Sequence, residues 1–208
     1  MEPKAETIAL AIIERMTAMS AERDRTLANC RQVVRRSANA IRAAHRGEMV
    51  TAQTELDAAH ELVGGLVALR DLHAEIYWAG YVQDATKEYA EARILLAILR
   101  DSSLPPPSVV AVEDAAYLNG LAEAGSELRR DILDLLRSDD VSRAEELLAL
   151  MDEIYAVLVT IDFPDAVTGG LRRTTDAFRA VIERTRGDVT LTLNQRRLER
   201  ALIAQTNR

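Results

Sequence analysis

From residue 5 to residue 46 the chain contains neither glycine nor proline. Nothing else in the sequence limits its folding as much. Ile8, Ile12, Ile13, Met16 and Met19 recur there at helical spacing, and Leu27, Cys30, Val34, Ser37, Ile41 and Ala44 follow at alternating intervals of three and four. The pattern predicts one helix over 5–46, about 60 Å long at 1.5 Å per residue. A helix of that length overhangs an ordinary domain, so it calls for a long bundle or an oligomer.

The remaining residues support the same fold class. Aromatics are 4% of the 208 residues and apolar residues 48%, which disfavours a β-sandwich or barrel and allows a sizeable helical core. Further helices are predicted over about 54–69, 71–100, 109–137, 142–163, 167–186 and 189–205. Their boundaries come from DSSLPPPS at 101–108, the Ser142-x-x-Glu145 capping box, Phe163-Pro164 and Gly187-Asp188. Long helices with short connections give an all-α antiparallel bundle of seven helices. Neither side of the triple proline looks self-sufficient, so 1–208 is read as a single domain.

The only cysteine is Cys30, which excludes an internal disulfide and a cysteine-rich zinc site and reads as a small buried apolar group. MEPKAETIAL carries two acids and a short apolar run, unlike a secretory signal, and no run reaches the ~18 uncharged apolar residues of a membrane span. A cytoplasmic protein with no membrane partner is expected. The net charge of −7 is unevenly spread: +3 over residues 1–50, −15 over 51–165 and +5 over 166–208. Of the 26 basic residues only Lys4 and Lys87 are lysines. Arginine suits bidentate phosphate contacts, although a GC-rich genome would enrich it everywhere. Arg31, Arg35, Arg42 and Arg46 form a basic strip on the first helix; Arg172, Arg173, Arg179, Arg184 and Arg186 form a second basic region. Either can hold a phosphate backbone, or be solvated surface. Tyr77, Trp78, Tyr81 and Tyr89 cluster, for base stacking or for packing.

Phosphate loops, dinucleotide fingerprints, H-E-x-x-H and nucleophile elbows are all missing from the sequence. His45, His60 and His73 are too far apart for a one-helix metal site and read as scattered surface histidines. Two carboxylate pairs are of more interest. Glu88 and Glu91 are i,i+3 at the head of a stripe continued by Leu95 and Ile98; Glu123 and Glu127 are i,i+4, on a face with Ala116 and Gly120. If their helices are neighbours, four carboxylates converge, and such a cluster needs a cation; oxygen donors suit Mg²⁺ or Mn²⁺. Spacing alone favours a solvated acidic face, because acids are frequent in this chain and many pairs fall three or four apart by chance.

The order and lengths of the helices, together with these motifs, resemble the translin family. KEYAEA at 87–92 is similar to the Glu-aromatic-x-Glu-Ala motif of translin-associated factor X. Tyr117-Leu-x-Gly-Leu-Ala-Glu123-x-x-x-Glu127-Leu is similar to that protein's second acidic motif. The Arg-rich residues 23–46, Tyr155, Asp162-Phe-Pro and the stretch from Leu171 to Leu202 also match in layout, so the resemblance spans nearly the whole chain. It implies a seven-helix, α-solenoid-like, translin-type bundle that assembles into hollow octamers. It further implies a Mg²⁺-dependent endoribonuclease (Mn²⁺ as the alternative ion) acting on single-stranded RNA inside a homo-oligomeric shell. Glu88, Glu91, Glu123 and Glu127 fall on the nuclease site, with Glu91 and Glu127 as direct metal ligands. Arg31, Arg35, Arg42, Arg46, Arg172 and Arg173 become the RNA contacts. Two departures stand out. Position 123 is Glu where the nuclease branch usually has Asp, and translin's basic, His-rich patch on the third helix is missing. The alternative is a non-catalytic protein that binds single-stranded RNA or DNA, as translin does.

Overall fold

The computed structural model describes residues 4–101 and 104–206. Ser102 and Ser103 of the predicted break, and the first three residues used in the N-terminal reading, lie outside the described residues. All regular structure among the described residues is helical, and no helix there is long and apolar enough to cross a membrane. Six long helices carry the fold: α1 (Ala5–His45), α2 (Met49–Val67), α5 (Gly80–Asp101), α7 (Asp114–Arg137), α8 (Val141–Leu158) and α10 (Leu171–Thr206). Four single turns join them: α3 (Leu69–Leu72), α4 (Ala74–Tyr77), α6 (Pro107–Val110) and α9 (Asp165–Thr168). The seven expected helices thus become, among the described residues, ten segments of the same all-α bundle.

Helices α1, α2 and α5 pack together, α7 packs on α5, and α8 and α10 pack on α7. The central pair is α5–α7. Leu56, Leu66, Ile94, Leu95, Ile98, Leu128, Ile132, Met151, Ile154 and Phe178 are fully buried between the helices, and side chains of this size each stabilise the fold by ~1.5–3 kcal/mol relative to exposure. In α7, which has neighbours on both sides, two glycines allow close approach. A Cβ at Gly125 would stand 2.5 Å from Phe178 Cζ on α10. A Cβ at Gly120 would stand 2.9 Å from Ala90 Cβ, Glu91 N and Lys87 O on α5.

Helix α1 is buried only in its second half, through Thr26, Cys30, Val33, Ser37, Ala40, Ala43 and Ala44. This line lies slightly off the expected Leu27/Val34/Ile41 stripe, and Val34 is exposed. Ile8, Leu10, Ile12, Ile13 and Met16 lie on the solvent side of the protomer, as do Leu191, Leu198, Leu202 and Ile203 at the far end of α10.

Three local expectations are corrected. Gly187 does not end a helix, because α10 runs through it with open space around it. A helical glycine costs ~1 kcal/mol. That cost is outweighed by burial of Thr185 and Val189 and by Arg129, which donates to Thr185 Oγ1 (3.1 Å) and Asp188 Oδ2 (2.7 Å). The helix expected over 71–100 breaks around His73 and Trp78. The break places Tyr77 in the core, where its hydroxyl donates to Glu113 (2.6 Å) and Gln83 donates to its carbonyl (2.9 Å). The cap of α8 is Asp140, which accepts from Arg143 N at 3.1 Å, rather than Ser142.

Candidate metal centre

The acidic centre is built where α5 crosses α7. Lys87, Glu88 and Glu91 occupy one face of α5 near the crossing, and Glu123 lies one turn beyond Gly120 on α7. Because Gly120 has no side chain, the backbone of α5 at Lys87 and Glu91 lies directly against α7. One carboxylate oxygen from each of Glu88, Glu91 and Glu123 lies within 4.8 Å of the others. Glu91 is only 9% exposed, whereas Glu88 and Glu123 are half-buried. Tyr89, fully buried beside them, anchors this part of α5 and shares a hydrogen bond with His60 Nδ1 (2.9 Å).

Electrostatics make this an expensive place for negative charge. Burial, followed by the charges of Glu123, Glu88 and Glu127, pushes Glu91 up to about 8. Burial also raises Glu123, against the opposing pull of Lys87. The Lys87 ammonium donates to Glu123 Oε1 at 2.8 Å and lies 3.3 Å from Glu88 Oε1. Burial lowers Lys87, but these two carboxylates outweigh it and leave it raised. The donor set is all oxygen, clustered, half-buried and short of positive charge, so Glu88, Glu91 and Glu123 fit a hard divalent cation.

Glu127 is the fourth predicted acid, one turn further along α7. Its Oε2 is 2.8 Å from His45 Nε2, and this bond holds the Glu127 carboxyl below its ordinary range against the effect of burial. His45 Nδ1 lies 3.1 Å from Asp131 Oδ2, off the line of a good hydrogen bond. The ring is 1% exposed, which corrects the surface reading of this histidine. Asp131 and Glu127 together hold His45 up at about 9. The folded state therefore favours the imidazolium. Its stabilisation is complete below the ordinary value of 6.5 and disappears as pH rises through 9. We expect the stability advantage over His45→Gln, read by urea unfolding in EDTA, to shrink between pH 6 and pH 9.5 by up to ~3 kcal/mol.

Arg31, Arg35 and Arg42 are exposed along α1 and Arg46 just past its end, and Arg172 and Arg173 are exposed at the start of α10. Arg42 donates to Asn39 (2.6 Å) and Arg46 to Glu48 (2.7 Å). Of the aromatic cluster, Tyr77 and Tyr89 are core and Trp78 is exposed. Sequence reasoning missed His45 as the partner of Glu127, and Asp131 on the other side of the His45 ring. It also left the role of Lys87 unread, although one of only two lysines preceding Glu88 was a visible signal.

No protein-family model matches the chain. An uncharacterized protein of Methanocaldococcus jannaschii is 27% identical over 168 residues, covering 80% of this chain and 74% of the relative. Two solved structures of AfC3PO are 32% identical and cover 90% of this chain: one in complex with duplex RNA (TM-score 0.83, 97% of that chain) and one crystal structure (TM-score 0.81, 98%). Apo-NeC3PO shares the fold at TM-score 0.80 with 16% identity, over 92% of this chain and 98% of its own. With this identity across nearly all of AfC3PO, and with the acidic motifs of α5 and α7 facing each other, the chain belongs to the translin family, on its translin-associated factor X-like side.

Proposed function

We propose that the protein is a Mg²⁺-dependent endoribonuclease that cuts single-stranded RNA inside a homo-oligomeric, octameric shell. The observation that carries this reading is the convergence of Glu88, Glu91 and Glu123 at one half-buried point, with Glu91 among them as the most buried acid. Glu91 belongs to both candidate ligand sets: the family resemblance pairs it with Glu127, and the geometry pairs it with Glu88 and Glu123. When bound, a divalent ion supplies an activated water and stabilises charge developing on the phosphate. Glu91 and Glu127 hold the ion in this reading, and His45 keeps Glu127 ionised and oriented. Glu88 and Glu123 orient the attacking water or accept its proton. The exposed arginines of α1 and of the start of α10 bind the RNA backbone. The unpartnered apolar stripes on α1 and α10 support assembly, and the duplex-RNA complex of AfC3PO supports an RNA ligand.

The test is incubation of labelled single-stranded and duplex RNA with the purified protein in Mg²⁺ or EDTA. Cleavage only in Mg²⁺ is expected; its absence with any divalent ion overturns the nuclease reading. RNA bound but uncut would instead establish the non-catalytic, translin-type alternative. That reading is favoured by one observation, the Lys87 ammonium already seated among the acids. In the same binding assay, Arg31→Ala with Arg35→Ala should weaken affinity and flatten its log–log salt dependence by ~0.7 for every phosphate that the variant no longer neutralises.

A further inference from the structure

We infer that Lys87 is a built-in competitor for the divalent ion: its ammonium neutralises the acidic cluster, and metal loads only by displacing it. The inference rests on the metal-site reading above, taken with its geometric ligand set of Glu88, Glu91 and Glu123. Its basis is geometric. The Lys87 ammonium contacts Glu123 Oε1 at 2.8 Å and Glu88 Oε1 at 3.3 Å, and these residues supply two of the three clustered carboxylates. A divalent ion binding the same oxygens would lie within ~4 Å of the ammonium nitrogen, where like charges in a half-buried site repel strongly. One of the two cations has to leave.

The residue type suits that exchange. Of the 26 basic residues, Lys87 is one of two that are not arginine. A guanidinium would grip carboxylates with a planar, bidentate fork, whereas an ammonium is a point charge on a flexible four-carbon stem. The base of that stem is fixed, because the Lys87 carbonyl lies against Gly120 at the helix crossing. The side chain is 23% exposed, so the head has a route to water. Lysine therefore stabilises the metal-free site without sealing it. Removing it exposes the bare acids to any divalent ion.

The experiment measures Mn²⁺ affinity, by electron paramagnetic resonance of free Mn²⁺, on the full-length assembled protein. Wild type is compared with Lys87→Gln, Lys87→Met and Glu91→Gln. We expect ~10-fold or greater tightening in both lysine variants and loss of binding in Glu91→Gln. Unchanged or weaker affinity in the lysine variants, with binding still lost in Glu91→Gln, overturns the inference and leaves the metal site standing. Absence of Mn²⁺ binding in wild type and lysine variants alike, or binding indifferent to Glu91→Gln, overturns both. A readout on the wild type covers variants that fail to assemble. With Lys4 the only other lysine, acylation of Lys87 by an amine-reactive ester is read directly by mass spectrometry. Mn²⁺ should raise that acylation several-fold over EDTA, and equal labelling contradicts displacement.

Discussion

Glu91→Gln should abolish Mg²⁺-dependent RNA cleavage, by ~10³-fold or more, and at the same time make the metal-free protein more stable at pH 8. The two effects have one source. Glu91 is 9% exposed, and burial together with Glu123, Glu88 and Glu127 raises its carboxyl to about 8. In the unfolded chain it ionises near 4.5. The folded state therefore holds a proton that the unfolded state has released, and stability falls as pH rises from 4.5 through 8. A glutamine of the same shape carries no such penalty. In EDTA, the unfolding free energies of variant and wild type should agree near pH 4.5 and diverge in the variant's favour, by ~2–4 kcal/mol, at pH 8. RNA affinity measured in EDTA should change little. A variant that loses activity and stability together would mark Glu91 as a structural residue and remove the central ligand of the site.

Gly120→Val should lower stability by ~3 kcal/mol or more and abolish divalent-ion binding. Even a single Cβ at this position would stand 2.9 Å from Glu91 N and Lys87 O, both backbone atoms that no rotamer change can move. Overpacking a tight contact costs ~1–3 kcal/mol for small insertions, and valine adds two methyl groups beyond that Cβ. Helices α5 and α7 would have to separate, drawing Glu88 and Glu91 away from Glu123. The contrast is Gly187→Ala, at a helical glycine with nothing within 4 Å. There the propensity gain is unopposed, and ~0.5–1 kcal/mol of added stability is expected. Urea unfolding of both variants, with Mn²⁺ titration of the first, checks the pair.

These two glycines also show what sequence reasoning reaches. Helix class, the long α1 and the turn at the triple proline were legible because they depend on the periodicity of apolar residues and on proline's missing N–H. A glycine's role depends on what its neighbours do: the sequence reads Gly187 as a stop although α10 runs through it, and the tight contact at Gly120 shows only once α5 and α7 are in place. The same holds for charge. The pairing of Glu88 with Glu91 is local and shows in the spacing. Lys87 meets Glu123 across 36 positions and His45 meets Glu127 across 82, so neither leaves a pattern in the chain. The family resemblance supplied the juxtaposition of the two acidic helices, but not the lysine between them or the histidine behind them.

The first turns of α1, with Ile8, Leu10, Ile12, Ile13 and Met16 exposed, have no protomer core beneath them. A helical segment without tertiary support opens at little free-energy cost. In a dissociated subunit its amides should exchange with deuterium nearly as fast as those of a free peptide, while those around Val33 and Ala40 stay protected. Subunit association that covers the apolar stripe would slow that exchange by orders of magnitude. The amino-terminal amides thus provide an isotopic clock for quaternary structure, reporting the fraction of chains assembled without any label on the RNA or the metal.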